Sequence, residues 1–148
     1  MASYRQLYYH IVFGTKSRKP TIPDVHCQLL YKYIWGILEN KKCKLYRING
    51  SKDHIHLLVD IHPTIAISTL VKDLKVSTSI WLKQEREFQN FEGWAEGFAA
   101  FTVSHSDKEK VLEYIKTQKE HHQKQAFQDE YKTLLKEHGI ELNEKELE

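Results

Sequence analysis

The sequence predicts an α+β fold, and three observations carry that prediction. Four short segments dense in β-branched and aromatic residues alternate with segments whose apolar residues recur at helical spacing. Along the 148 residues their order is β-α-β-β-α-β, followed by further helical segments. A tight-turn signal joins the second strand to the third. This order is that of the ferredoxin-like motif, an antiparallel sheet with its two helices on one face.

The first strand spans residues 4–15, where Tyr8, Tyr9, Ile11, Val12 and Phe13 mark a central position. Lys16 to Pro20 turns away from it. Asp24 is the expected N-cap of a helix over 25–41, whose Leu30, Ile34, Ile37 and Leu38 form one apolar face. Cys43 to Asn49 is the second strand, Asn49-Gly50 the turn, and 54–61 the third strand. Pro63-Thr64 opens the next helix, with Ile67, Leu70, Val71, Leu74, Thr78, Trp81 and Leu82 on its inner face. Residues 85–97 are a polar connection, and 98–104 the fourth strand. Ser106 and Glu109 have capping-box spacing, so a helix is expected from there to about 124. A last amphipathic helix carries Phe127, Tyr131, Leu134 and Leu135 and ends at Gly139, before an acidic tail.

The chain reads as one domain, 1–148, with a core of about 4–124 and a C-terminal helix and tail of about 125–148. No apolar run approaches the roughly 20 residues that span a bilayer, so a cytoplasmic protein with no membrane partner is expected. Cys27 and Cys43 form no CxxC pattern and read as reduced core thiols. Charge is uneven. Residues 1–52 hold ten basic side chains against two acidic, a balance of +8, whereas the remainder carries −6. Such asymmetry suits a polyanionic partner, and equally a set of solvated lysines.

The chemistry gathers on His54-Ile55-His56. In a strand, side chains alternate faces, so both imidazoles point one way while Ile55, Leu57 and Val59 point the other. If the two helices cover the Ile55 face, the imidazoles look toward the uncovered one. What remains to cover it is the C-terminal helix with Val111, Leu112 and Ile115 as its stripe. Tyr114 and Gln118 lie one turn apart on that helix, with His121 continuing the line. Two imidazole nitrogens and an amide oxygen suit Mg²⁺ or Mn²⁺ when substrate supplies phosphate oxygens. Alone, each of these residues has a bland reading: a packing tyrosine, a solvated glutamine, a structural histidine pair. Their conjunction within this element order favours a site.

Taken together, these segments resemble the single-tyrosine HUH transposases of bacterial insertion sequences, the TnpA-like superfamily that includes REP-associated members. The resemblance runs through Tyr8–Lys16, Asp53–Val59, Leu74–Ser79, Trp94–Phe98 and Tyr114–Gln118. It implies that His54 and His56 bind the divalent ion, Mg²⁺ or Mn²⁺, that Gln118 is a further ligand, and that Tyr114 is the nucleophile. It further implies cleavage and rejoining of single-stranded DNA beside imperfect hairpins through a 5′-phosphotyrosine link. A homodimer, with the tyrosine helix of one subunit able to serve the other's His pair, is implied as well. Arg5, Lys16, Arg18, Lys19, Lys72 and Lys75 are candidate DNA contacts. Two positions depart from the family's pattern: Gly14, where a polar or bulky residue is usual, and His105-Ser106, where many members have a small residue and glycine.

Two other functions fit the same residues. One is a metal-dependent phosphoesterase that uses only the His pair. The other is a single-strand DNA-binding module without catalysis. The helix at 127–138 reads either as a dimer-stabilising element or as a lid on the site.

Overall fold

The computed structural model describes residues 3–121 and 125–143, His121 by its backbone alone. Four strands, β1 (Tyr8–Gly14), β2 (Lys44–Ser51), β3 (His54–Asp60) and β4 (Ala99–Val103), form one sheet in the order β2-β3-β1-β4. Every neighbouring pair is antiparallel. Helices α1 (Cys27–Asn40) and α2 (Ile67–Gln84) make the two crossovers, so the expected α+β, βαββαβ arrangement is the observed one. After β4 come α3 (Lys108–Lys116), α4 (Gln118–His121) and α5 (Phe127–Glu137).

The main core lies between the sheet and helices α1 and α2. Ile11, Phe13, Ile55, Leu57 and Val59 from the strands meet Leu30, Ile34, Leu38, Leu70, Leu74 and Leu82 from the helices. Cys27 and Cys43 are free, buried thiols of this same core. The opposite face is covered by two elements rather than one. Helix α3 lays Val111, Leu112 and Ile115 on Tyr8, Leu58 and Val103. Helix α5 lays Phe127, Leu134 and Leu135 on Val12, Ala99 and Phe101. Helix α5 thus lies over the sheet face that carries His54 and His56.

Several boundaries differ from the sequence reading, each for a local reason. The β2–β3 loop is Lys52-Asp53, not Asn49-Gly50, since Ser51 already pairs with His54. Gly50 lies within β2 because a Cβ there would drive into the carbonyl oxygen of His54. A bulge between Leu45 and Arg47 lets Leu45 and Ile48 both face the main core, while Tyr46 packs edge-on against Tyr8 on the other side. Asp24 does not cap α1, whose N-cap is His26 with no side-chain bond; the Asp24 carbonyl instead accepts from the Cys27 thiol. Helix α2 starts at Ile67 because His62 and Thr64 close their own turn first, Nδ1 to Oγ1 at 2.7 Å. The cap before α3 is Ser104, whose side chain accepts from the Asp107 amide, two residues ahead of the expected Ser106. The helix expected to reach 124 breaks at Thr117 into α3 and α4. The His121 side chain and the tail beyond 143 lie outside the described residues.

Candidate metal centre

Sheet geometry places the two imidazoles. His54 and His56 alternate with Ile55 and Leu57, which are sealed in the main core, so both rings emerge on the α3–α5 side. There they are fully covered: His54, His56 and Gln118 are each 0% exposed. The second element delivers Gln118 at the start of α4, where its Oε1 lies 3.0 Å from His54 Nε2. Tyr114, half-buried on α3, presents its ring edge to His56 with centroids 5.7 Å apart. The structure thus brings His54, His56, Tyr114 and Gln118 into one cluster.

The third element brings a residue that the sequence reading missed. Glu130 of α5 is 3% exposed, and its Oε1 lies 3.4 Å from His56 Nε2 and 3.5 Å from His54 Nε2. Its other oxygen accepts from the Tyr114 hydroxyl and, at 2.9 Å, from the Gln118 amide. A carboxylate buried at that depth must be paired. Four polar groups from three other elements, β3, α3 and α4, pair this one. The sequence signal was an acid on the helix face that also carries Phe127 and Leu134, at i+3 and i+4 spacing.

Two further contacts orient the imidazoles. His54 Nδ1 lies 2.8 Å from Asp53 Oδ1, which holds that nitrogen outward and turns Nε2 toward Gln118 and Glu130. His56 Nδ1 lies 2.8 Å from His10 Nε2, and the two rings stack with centroids 5.0 Å apart. His10, on the neighbouring strand β1, is itself buried. Burial, then the adjacent His56, hold His10 well below the usual imidazole range. A neutral His10 can accept from His56 Nδ1, which leaves the Nε2 lone pair of His56 facing the cluster. Burial pushes the Tyr114 phenol up, and the hydrogen bond and charge of Glu130 push it further.

The donors fit a divalent cation. Ligand atoms of His54, His56 and Glu130 lie within 4.8 Å of one another, close to the roughly 4.2 Å across an ion with bonds of about 2.1 Å. With the Gln118 amide oxygen beside them, the set mixes imidazole nitrogen with hard oxygen, as a divalent cation needs.

The six candidate DNA contacts divide. Arg5, Lys16, Lys19 and Lys72 are exposed. Lys19 pairs with Glu92 at 2.8 Å in an exposed ion pair. The Lys75 ammonium donates to the carbonyls of Ala95 and Gly97, so it ties down the 95–97 loop. Arg18 is partly buried over the Phe127 ring, 5.8 Å from its centroid. Lys16 also meets this loop, its amide donating to the Gly93 carbonyl.

A buried His-His-carboxylate cluster with a tyrosine and a glutamine, set on the open face of a βαββαβ sheet, defines a metal-capable site on an α+β scaffold. Residues 3–118 match the IS200-like transposase family, and the chain belongs to it. Transposases of the insertion sequence element IS200 from Salmonella typhimurium and Salmonella typhi are each 28% identical over 117 residues, 76% of either chain. Among solved structures, the fold is similar to a REP-associated tyrosine transposase bound to a REP hairpin (TM-score 0.63, 13% identity, 82% of this chain and 74% of that one). It is also similar to a candidate transposase from Deinococcus radiodurans R1 (TM-score 0.59, 23% identity, 80% and 95%). Among the described residues no helix is long and apolar enough to cross a membrane.

Proposed function

We propose that this member of the transposase family cuts and rejoins single-stranded DNA beside imperfect hairpins, with Tyr114 as the nucleophile. The observation that supports this reading most is the convergence of four elements on one point: Tyr114 edge-on to His56, Gln118 on His54, and Glu130 joining all four residues. A metal ion held by His54, His56, Gln118 and Glu130 would neutralise charge on the non-bridging phosphate oxygens.

This chain's residues account for the rest. In the forward step Tyr114 Oη passes its proton toward the Glu130 oxygen that already accepts from it and forms a bond to phosphorus. The P–O3′ bond breaks, and the departing oxygen takes a proton from solvent to become a free 3′-hydroxyl. The 5′ end stays linked to Tyr114, so the bond energy is kept. In the reverse step a 3′-hydroxyl attacks the phosphotyrosine and the phenol leaves. Tyrosine is a poor nucleophile at neutral pH and a good leaving group, which suits a reversible exchange. Burial and Glu130 keep the Tyr114 phenol protonated at rest, so it is not a standing nucleophile. Asp53 and His10 position the imidazoles.

Within one chain Tyr114 reaches its own His pair, so a single subunit holds a full set of groups. A homodimer, with exchange of tyrosine helices, and a cytoplasmic location remain part of the proposal. The test is a denaturing gel of single-stranded hairpin DNA incubated with Mn²⁺. A protein–DNA adduct is expected, lost in Tyr114→Phe. One observation favours a second reading: His54, His56 and Glu130 make a three-ligand set without Tyr114, as a phosphoesterase would need. Cleavage that survives Tyr114→Phe with no adduct would establish that reading instead.

A further inference from the structure

A second cluster lies on the α3 side of the sheet, toward the Asp60 end of β3 and apart from α5. Tyr46 of β2 packs edge-on against Tyr8, ring centroids 5.4 Å apart, and stays half-buried. Two ammonium groups converge on its ring. Lys108 Nζ, from the first residue of α3, lies 3.9 Å from the centroid, and Lys44 Nζ, from the start of β2, lies 4.9 Å from it. Lys108 also reaches the Tyr8 ring, at 5.3 Å. On the far side of Tyr8 stands the exposed His105, ring centroids 6.3 Å apart. One of the two departures from the family's pattern therefore borders this cluster.

Two like charges drawn to one ring repel each other, and a nearby carboxylate is the usual remedy. Lys44 faces Asp60 in the β2–β3 register, so an ion pair was within reach. Asp60 instead accepts from the Leu7 amide at 3.3 Å. Among the described residues no ion pair joins Lys44 or Lys108 to an acid. Glu109 follows Lys108 directly, and adjacent helical positions do not face each other. The negative face of the Tyr46 ring offsets part of the repulsion. What remains is a concentrated positive spot that suits an anion.

Geometry selects the kind of anion. With an ammonium 3.9 Å from its centroid, that face of Tyr46 cannot also take a base, so the ring mounts cations and is no stacking platform. Such a site reads backbone charge and not sequence. It also has access and direction. Strand β2 is an edge of the sheet, so a wide partner can approach. Helix α3 carries both Lys108 and Tyr114, about 9 Å apart along its axis at 1.5 Å per residue.

We propose that Lys44 and Lys108, mounted on Tyr46, hold the sugar–phosphate backbone of a DNA hairpin stem whose single-stranded flank runs on toward Tyr114. The inference rests on the transposase reading for the identity of the partner. A paired stem offers phosphates without free bases, which matches cations without a stacking face. Lys44 is exposed, Tyr46 and Lys108 are half-buried, and none belongs to α5, so the contact is open whether or not that helix covers the metal centre.

Fluorescence anisotropy tests this on the full chain in EDTA, so that no contact runs through a metal. Two probes are used: a fluorescein-labelled DNA hairpin with a single-stranded flank, and that flank without the stem. Lys44→Gln with Lys108→Gln should weaken hairpin binding about tenfold and make log Kd against log salt shallower by about 1 to 2, at roughly 0.9 per phosphate contact. Binding of the flank alone should change by less than about threefold, which also shows the variant folded. Lys32→Gln with Lys83→Gln removes the same charge from exposed positions on α1 and α2, across the sheet, and should leave the hairpin slope in place. A hairpin loss no greater than in that control overturns the inference, and so does a loss shared equally by the flank. The two readings fail separately. A hairpin loss confined to the Lys44 and Lys108 pair, in a protein that forms no DNA adduct, sinks the transesterase reading alone. An adduct with hairpin affinity untouched by the pair sinks the backbone contact alone.

Discussion

Phe127 lies flat on His54, ring centroids 4.1 Å apart and planes 7° from parallel. This stacking ties α5 to the metal-capable strand, and it is possible because residue 14 is a glycine. A Cβ at Gly14 would come 2.7 Å from the Phe127 ring and 3.2 Å from the Asp53 carbonyl. The departure from the family's usual residue at position 14 therefore has a structural partner, thirteen residues beyond Tyr114.

Removing that ring should uncover the site. Phe127→Ala is expected to cost about 3–5 kcal/mol if α5 stays seated, or less if α5 lifts. Diethyl pyrocarbonate labelling read by mass spectrometry distinguishes these outcomes. In the parent protein His54 and His56 should be protected, and in the variant both should react. Protection unchanged in a folded variant would show that Glu130, Leu134 and Leu135 hold α5 without Phe127.

Glu130→Gln keeps the shape of the side chain and removes its charge. Mn²⁺ affinity, measured by calorimetry on the metal-free protein, should fall by about tenfold or more, the scale on which metal sites respond to their supporting groups. Unchanged affinity would leave Glu130 as a hydrogen-bonding partner of Tyr114 and Gln118 and nothing more.

His10→Ala tests positioning. It leaves His56 Nδ1 without its 2.8 Å partner. Mn²⁺ affinity should drop about 10- to 100-fold while the metal's ligands are untouched. His10→Gln, which can still accept a hydrogen bond, should recover part of the loss.

Tyr31 offers a prediction about stability alone. Burial, and then the Cys27 thiol beside it, push its phenol up. A folded pKa above the unfolded value of about 10 means that this contribution is intact below pH 10 and is lost as pH rises past it. Among the described residues the Tyr31 hydroxyl has no well-formed hydrogen bond, only the weakly bonding Cys27 thiol beside it. Tyr31→Phe should therefore match or exceed the parent's stability at neutral pH, by up to about 1 kcal/mol, and lose less between pH 10 and 12. Thermal melts at a series of pH values decide it.

Gly50→Ala probes the hairpin. The new methyl group has backbone in its way, so β2 and β3 cannot keep their register. Loss of 2 kcal/mol or more is expected in urea unfolding, the order of a strained backbone site with overpacking.

How much of this was legible in the sequence varies with the range of the cause. The fold follows from local periodicity and element order, and both survive in the structure because every strand has its apolar residues where the sheet needs them. The face assignment of His54 and His56 follows from strict alternation along β3. Alternation failed in β2, where the bulge at Leu45/Arg47 shifts the pattern by one residue. The Asn49-Gly50 dipeptide looked like a turn, but Gly50 answers a different need, the close approach of the His54 carbonyl. Tyr114 and Gln118 could be paired by helical spacing. Glu130 and His10 could not, since each reaches the cluster through tertiary packing: α5 folding back on the sheet, and β1 pairing beside β3. Spacing puts Glu130 on the face of α5 that carries Phe127 and Leu134, but does not say what that face meets.

The complete burial of His54, His56 and Gln118 has a consequence for any strand of DNA that is to be cut. On the proposed reading such a strand must reach these groups, and helix α5 already lies there, with a ring on one imidazole and a carboxylate beside both. It behaves as an intramolecular competitor. Being tethered by a short connection, it is present at an effective concentration of about millimolar order or above, whatever the amount of protein. Measured affinity for DNA is then the intrinsic affinity scaled down by the fraction of molecules in which α5 has let go. Recognition of a hairpin elsewhere on the surface could raise that fraction only by gripping the open form more tightly than the closed.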